Sequence, residues 1–231
     1  VQLGHLHFNR GDLAKAEAAY RAALAQDPTY PYAQGGLARV WAAQGRTAEA
    51  IARYEALAAA LPLPEFAIAL ADLLTASGRR AEARRQVELV RVMQALNAGA
   101  GMNVDVEMAL FDLEHGGDRI QALAQAEAAY RQRPTVFAAD VLAWALYRNG
   151  RYAEAGARMA EALRLGAQDA RLYYHAGMID LAQGDRAGAE AHLRRALAIN
   201  PYFSPLDAPK AGAILATLSA DESETPVRGP R

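Results

Sequence analysis

The chain has 231 residues and a formal net charge of −1. A charge this near zero argues against the broad basic surface that nucleic acid or an anionic membrane would require, and no apolar run approaches the ~20 residues that cross a bilayer. With no cysteine, disulfide frameworks, thiolate nucleophiles and cysteine-ligated zinc are excluded, while oxidising and reducing compartments both stay open.

Alanine is abundant, and Lys15 and Lys210 are the only lysines beside many arginines. Alanine is the best helix former and lets helices approach closely, so the chain reads as all-α. The opening residues do not read as a secretory leader, because Gly4, His5, His7, Asn9 and Arg10 interrupt any apolar core. In chain order the pattern predicts helix pairs over 1–9/12–26, 30–44/47–60, 64–77/80–97, 103–115/118–132, 136–149/152–165 and 169–183/186–198. Glycines punctuate the pairs at Gly11, Gly45, Gly78, Gly117, Gly150 and Gly184, with gaps of 34, 33, 39, 33 and 34 residues. A glycine there supplies the left-handed conformation that ends one helix and turns into the next.

Five residues after each glycine stands an alanine: Ala16, Ala50, Ala83, Ala122, Ala155 and Ala189. Four further on the residue is Tyr20, Tyr54, Val87, Ala126, Met159 and Leu193 in turn. Proline follows the glycine by 17 residues at Pro28, Pro62, Pro134 and Pro201, where it stops one helix and suits the first turn of the next. The first helices carry Leu3-Gly4-x2-His7, Leu37-Ala38-x2-Trp41, Leu70-Ala71-x2-Leu74 and Leu142-Ala143-x2-Leu146. This pattern resembles the tetratricopeptide repeat, a helix–turn–helix of about 34 residues written W-x2-L-G-x2-Y, A-x3-F, P. The leading tryptophan is missing throughout, and Tyr173 comes nearest to it. The resemblance covers residues 1 to about 205. It implies a right-handed superhelical solenoid of about six units, with the first helix of each pair lining a concave face.

The units fall at 1–28, 29–62, 63–99, 100–134, 135–167 and 168–201. The 39-residue gap places an irregularity near Asn97–Asn103, read as a loop that is either a hinge or a longer turn in a rigid stack. A helix over 206–219 is expected to cap the last unit, and residues 220–231 are expected to be disordered. Because Val1 is not methionine and the first unit enters mid-pattern, the chain is similar to the C-terminal part of bacterial multi-repeat proteins, with more repeats expected upstream.

In this family peptides usually lie along the first helices. Carried over position by position, the resemblance implies a mixed surface in the first three units. In the last three it implies an aromatic one: Glu107, Phe111, Glu114, Phe137, Asp140, Trp144, Tyr147, Arg148, Tyr174 and Met178, with Trp144 and Tyr147 as the expected centre. The basic and asparagine residues of the chaperone-tail clamp known in this family are missing at the corresponding positions. The five histidines lack metal-site spacing and read as solvated or interface residues, and no phosphate loop or G-x-S-x-G frame is present. Arg79, Arg80, Arg84 and Arg85 read as a solvated helix face paired with Glu82 and Glu88. The expectation is a non-catalytic protein-interaction scaffold without cofactor or metal. The alternatives are self-association through the upstream edge, or an accessory region of a larger protein whose catalytic domain lies upstream.

Overall fold

Gly11, Gly45, Gly78, Gly150 and Gly184 have φ of 74–82°, a conformation costly for residues with a Cβ. The computed structural model describes residues 1–99 and 105–223 and, among them, contains thirteen α-helices and no strand. The paired helices are α1 (Gln2–Asn9) and α2 (Leu13–Gln26), α3 (Pro31–Ala43) and α4 (Thr47–Ala60), α5 (Pro64–Ala76) and α6 (Arg80–Gly99). They continue as α7 (Asp105–Glu114) and α8 (Arg119–Gln132), α9 (Val136–Arg148) and α10 (Tyr152–Leu163), α11 (Ala170–Gln183) and α12 (Arg186–Ile199), before a single α13 (Asp207–Ser223). The architecture is an all-α repeat solenoid. Contacts divide the chain into two compact units: Val1–Val104 with Tyr202–Leu206, and Asp105–Pro201 with Asp207–Arg231.

Local chemistry starts the helices. Pro31 and Pro64 occupy the first turns of α3 and α5, where the missing N–H costs nothing. Asp12, Asp118, Thr135, Asp169 and Asp185 accept from backbone N–H groups at the starts of α2, α8, α9, α11 and α12, each such cap stabilising its helix by ~1 kcal/mol.

The fourth turn corrects the sequence reading. Positive φ falls on Gly116 (74°), not on Gly117. The turn is one residue longer than at Gly11 or Gly184, so the cap, Asp118, stands two residues beyond the left-handed glycine. Gly117 N–H donates to the Asp112 carbonyl at 2.7 Å, and a Cβ at Gly117 would run into the Asp112 side chain. Two other boundaries shift. Residues 97–99, read as loop, are the last turn of α6, and the rest of that reading, 100–103, lies outside the described residues. Helix α13 runs to Ser223, four residues past the expected end; the remaining tail, 224–231, also lies outside them.

In the first unit, Tyr20 of α2 is fully buried among Phe8, Ala16, Leu37 and Val40, joining the first pair to the second. Its hydroxyl has no hydrogen-bond partner among the described residues, and burial pushes its pKa up to about 12. Tyr54 repeats the arrangement against Phe66 and Leu70, its hydroxyl donating to the Gly35 carbonyl at 2.8 Å. In the second unit the equivalent positions are Ala126, Met159 and Leu193, all buried. The arginine-rich start of α6 is solvated as expected. Arg79 pairs with Glu82 at 2.7 Å, while Glu88 pairs with Arg91 rather than with the upstream cluster.

The tightest approach is at Tyr20. A Cβ at Gly4 would stand 2.6 Å from Tyr20 Cε1, and one at Gly36 would overlap the same ring. Gly36→Ala is therefore expected to destabilise the first unit by about 1–3 kcal/mol, the usual cost of overpacking. A urea-unfolding midpoint equal to that of the wild type would contradict this account of the contact.

Candidate functional site

The candidate face belongs to the second unit, where α9 packs against both α7 and α11. Thr135 Oγ1 accepts from Ala138 N at 3.1 Å and opens α9. Asn149 closes it, its Nδ2 donating to the Ala145 carbonyl at 2.8 Å and to the Arg119 carbonyl at 2.9 Å. Held between two neighbours, α9 buries every residue from Ala138 to Leu146.

The structure brings the expected residues together on α7, α9 and α11 but divides them in two. Phe111 (2% exposed), Asp140 (5%), Trp144 (6%) and Tyr174 (3%) are buried. Glu114, Tyr147, Arg148 and Met178 are partly buried, and Phe137 and Glu107 are exposed. Trp144, expected at the centre of the binding face, is enclosed between rings. It stacks on Tyr147 at 4.7 Å and 15°, and on His175 at 4.1 Å and 13°. Its Nε1 is buried with no hydrogen-bond partner among the described residues. Phe111 stacks on His115 at 4.6 Å, and Tyr174 donates its hydroxyl to Asp207. Burial and the Asp207 charge together hold the Tyr174 hydroxyl well above the usual tyrosine range.

Sequence reasoning missed three members. His175, read with the other histidines as solvated or interfacial, is 1% exposed, and its Nδ1 lies 2.8 Å from Asp140 Oδ1. The spacing of 35 residues between these two is one repeat length, a usable signal once the repeat is in register. Tyr152, exposed at the start of α10, lies 5.8 Å from the Tyr147 ring. Arg119 donates to the Arg148 carbonyl at 3.4 Å.

On the opposite side of α9, Leu142 and Leu146 floor an open cleft of about 360 Å³ bounded by α8 and α10. Its charges answer one another: Arg151 pairs with Glu154 (2.6 Å) and Glu127 (3.5 Å), and Arg158 with Glu161 (2.5 Å) and the Tyr130 hydroxyl (2.8 Å). Among the described residues no group of three or more metal-ligating side chains is found, and no helix is long and apolar enough to cross a membrane.

The buried pair yields a stability prediction. Asp140→Ala leaves His175 without this partner in a buried site, so a loss of about 1–3 kcal/mol is expected. Glu107→Gln, at an exposed position, should stay within about 0.5 kcal/mol. Equal denaturation midpoints for the two variants would remove the pair from the list of stabilising contacts.

Three family models described as tetratricopeptide repeat match the chain, over residues 7–67, 64–88 and 141–202. Cellulose synthase operon protein C of Xanthomonas axonopodis pv. citri is 36% identical over 118 residues, which is 51% of this chain and 7% of that protein. The protein of the same name from Pseudomonas fluorescens is 38% identical over 76 residues, 33% of this chain and 6% of that protein. The chain thus spans less than a tenth of the length of these curated relatives. Among solved structures, a tetratricopeptide repeat protein from Parabacteroides merdae matches with a TM-score of 0.48 and 16% identity, covering 98% of this chain and 92% of that one. Proteins of this fold are generally non-catalytic protein–protein interaction scaffolds. With matched models at both ends and helix pairs in the same register, the chain belongs to the tetratricopeptide-repeat superfamily.

Proposed function

We propose that the chain is a non-catalytic scaffold that binds an extended polypeptide segment along the α7, α9 and α11 face of its second unit. The observation that carries this reading is the placement of partly open side chains over a buried aromatic floor. Phe137 is 41% exposed, and Tyr147, Arg148 and Met178 are partly exposed above the enclosed Trp144. Aromatic residues give large contact area at low entropic cost, and packing against a buried floor lowers the cost of ordering the site. Operon and process do not transfer from the cellulose synthase operon relatives, since what they share with this chain is a short stretch of their length.

The test uses the open residues. Trp144→Ala would remove a core ring and cost about 3–5 kcal/mol of stability, so loss of binding in that variant would report unfolding. Phe137→Ala and Tyr147→Ala retain the floor. In affinity capture followed by mass spectrometry, a partner held by the wild type should be lost from the Phe137→Ala/Tyr147→Ala double variant and kept by Arg85→Ala, on the solvated face of α6. Retention by both variants would move the binding site elsewhere.

A second reading, self-association, is favoured by one observation in the first unit. Leu3 and Leu6 on α1 are 57% and 46% exposed, whereas Leu37 and Val40, one repeat later, are 8% and 0% exposed against Tyr20. The outer face of α1 thus carries the residues that elsewhere cover a preceding helix pair. Self-association through this edge predicts a concentration-dependent sedimentation coefficient that Leu3→Ser/Leu6→Ser abolishes. A wild type that sediments as a monomer across the concentration range would eliminate it.

A further inference from the structure

We infer that Arg148 is a receptor for an acidic side chain, so that the segment bound on this face carries an aspartate or glutamate at a fixed distance from an apolar anchor. The inference rests on the binding face proposed above and specifies its ligand.

Arg148 ends α9 with its guanidinium partly buried, 5.8 Å from the centre of the Trp144 ring. Among the described residues no carboxylate stands within ion-pair distance of it. Glu114 and Asp207 act on it only through space, and Arg119, a second cation, lies beside it. Burial and Arg119 hold its pKa below the ordinary arginine value, the direction expected of a desolvated cation lacking its counter-ion. Arg158, also partly buried in this unit, is treated differently, with a carboxylate at 2.5 Å, and even the exposed Arg151 has one at 2.6 Å. Two compensations are present, the Trp144 ring and the negative end of the α9 dipole, each contributing up to about 2 kcal/mol at a partly buried site, and neither supplies a hydrogen-bond acceptor. A carboxylate would supply charge-assisted hydrogen bonds to a guanidinium fork that makes none among the described residues.

The geometry fixes a spacing. Phe137 and Arg148 stand at opposite ends of one face of α9, about 16 Å apart along the helix axis. An extended peptide advances about 3.4 Å per residue, so an apolar side chain against Phe137 and a carboxylate at Arg148 are about five residues apart.

The test is a selection from a random peptide library displayed with each peptide joined to its carrier through the C-terminus, so that side chains are the only carboxylates offered. Peptides retained by the wild-type chain are expected to share an aspartate or glutamate about five residues from an apolar residue. Their affinity should fall roughly tenfold for Arg148→Gln and much less for Arg148→Lys, and should weaken with added salt. Because a substitution on α9 could disturb the fold, the decisive measurement alters the peptide. Replacing its acid by the amide should weaken binding to the wild type by a similar factor and leave binding to Arg148→Gln unchanged. Peptides that lose affinity for Tyr147→Ala but carry no shared acid, or whose acid-to-amide change costs the same on both proteins, would overturn the role of Arg148 and leave the face standing. Peptides indifferent to both Tyr147→Ala and Arg148→Gln, or a selection that retains none, would overturn the face and the inference together.

Discussion

At the crossing of each helix pair, little more than a methyl group separates two backbones. Ala16, Ala50, Ala122, Ala155 and Ala189 are 0% exposed, and Ala83 only 4%. A larger side chain there would push the helices apart, and the residue four positions later would no longer reach the next pair. Tyr20, Tyr54, Met159 and Leu193 are buried at that later position, so the small residue sets the distance and the large one fills the gap it creates. A pair cannot bury both its faces alone, and stacking repeats this exchange along each unit. The fit is tight enough that Gly4 and Gly36 are needed on either side of one tyrosine ring.

This economy explains what the sequence made legible. The helix pairs follow from turn glycines, caps and alanines whose roles are local, so periodicity alone locates them. The fourth turn shows where local reasoning fails. Gly116 and Gly117 are adjacent, either could serve as the left-handed residue, and only the approach of Asp112 to the second decides between them. The end of α13 is another such case. Ala216 and Ala220 are strong helix formers, and a polar tail after them does not mark the point at which the backbone leaves the helix.

The candidate site was legible as a face but not as a site. Helical periodicity puts Phe137, Asp140, Trp144, Tyr147 and Arg148 on one side of α9, and that much needs no coordinates. Which of them point into the protein depends on how near α7 and α11 come, a quantity carried by other helices. Trp144 is large and aromatic, the usual profile of a binding residue, yet it is 6% exposed and stacked on Tyr147 and His175. His175 was misjudged for the same reason: one repeat away in sequence, it is the partner that makes a buried aspartate tolerable. A buried polar group needs its hydrogen bond, so each of Asp140 and His175 requires the other.

On the proposed binding face the enclosed residues would act through the open ones. Tyr147 could occupy several rotamers on an isolated helix, but its ring lies flat against Trp144, which lies flat against His175, which is held by Asp140. Three contacts in series, anchored at a hydrogen bond between two helices, restrict the one ring of the series that is not fully buried. A ligand meeting Tyr147 therefore pays little of the side-chain ordering entropy that binding otherwise costs, on the order of 1 kcal/mol per side chain. If the proposed face is the binding site, the buried pair and the tryptophan would contribute to affinity without touching the ligand, and conservative changes to them would weaken binding through disorder of Tyr147 before they unfolded the unit.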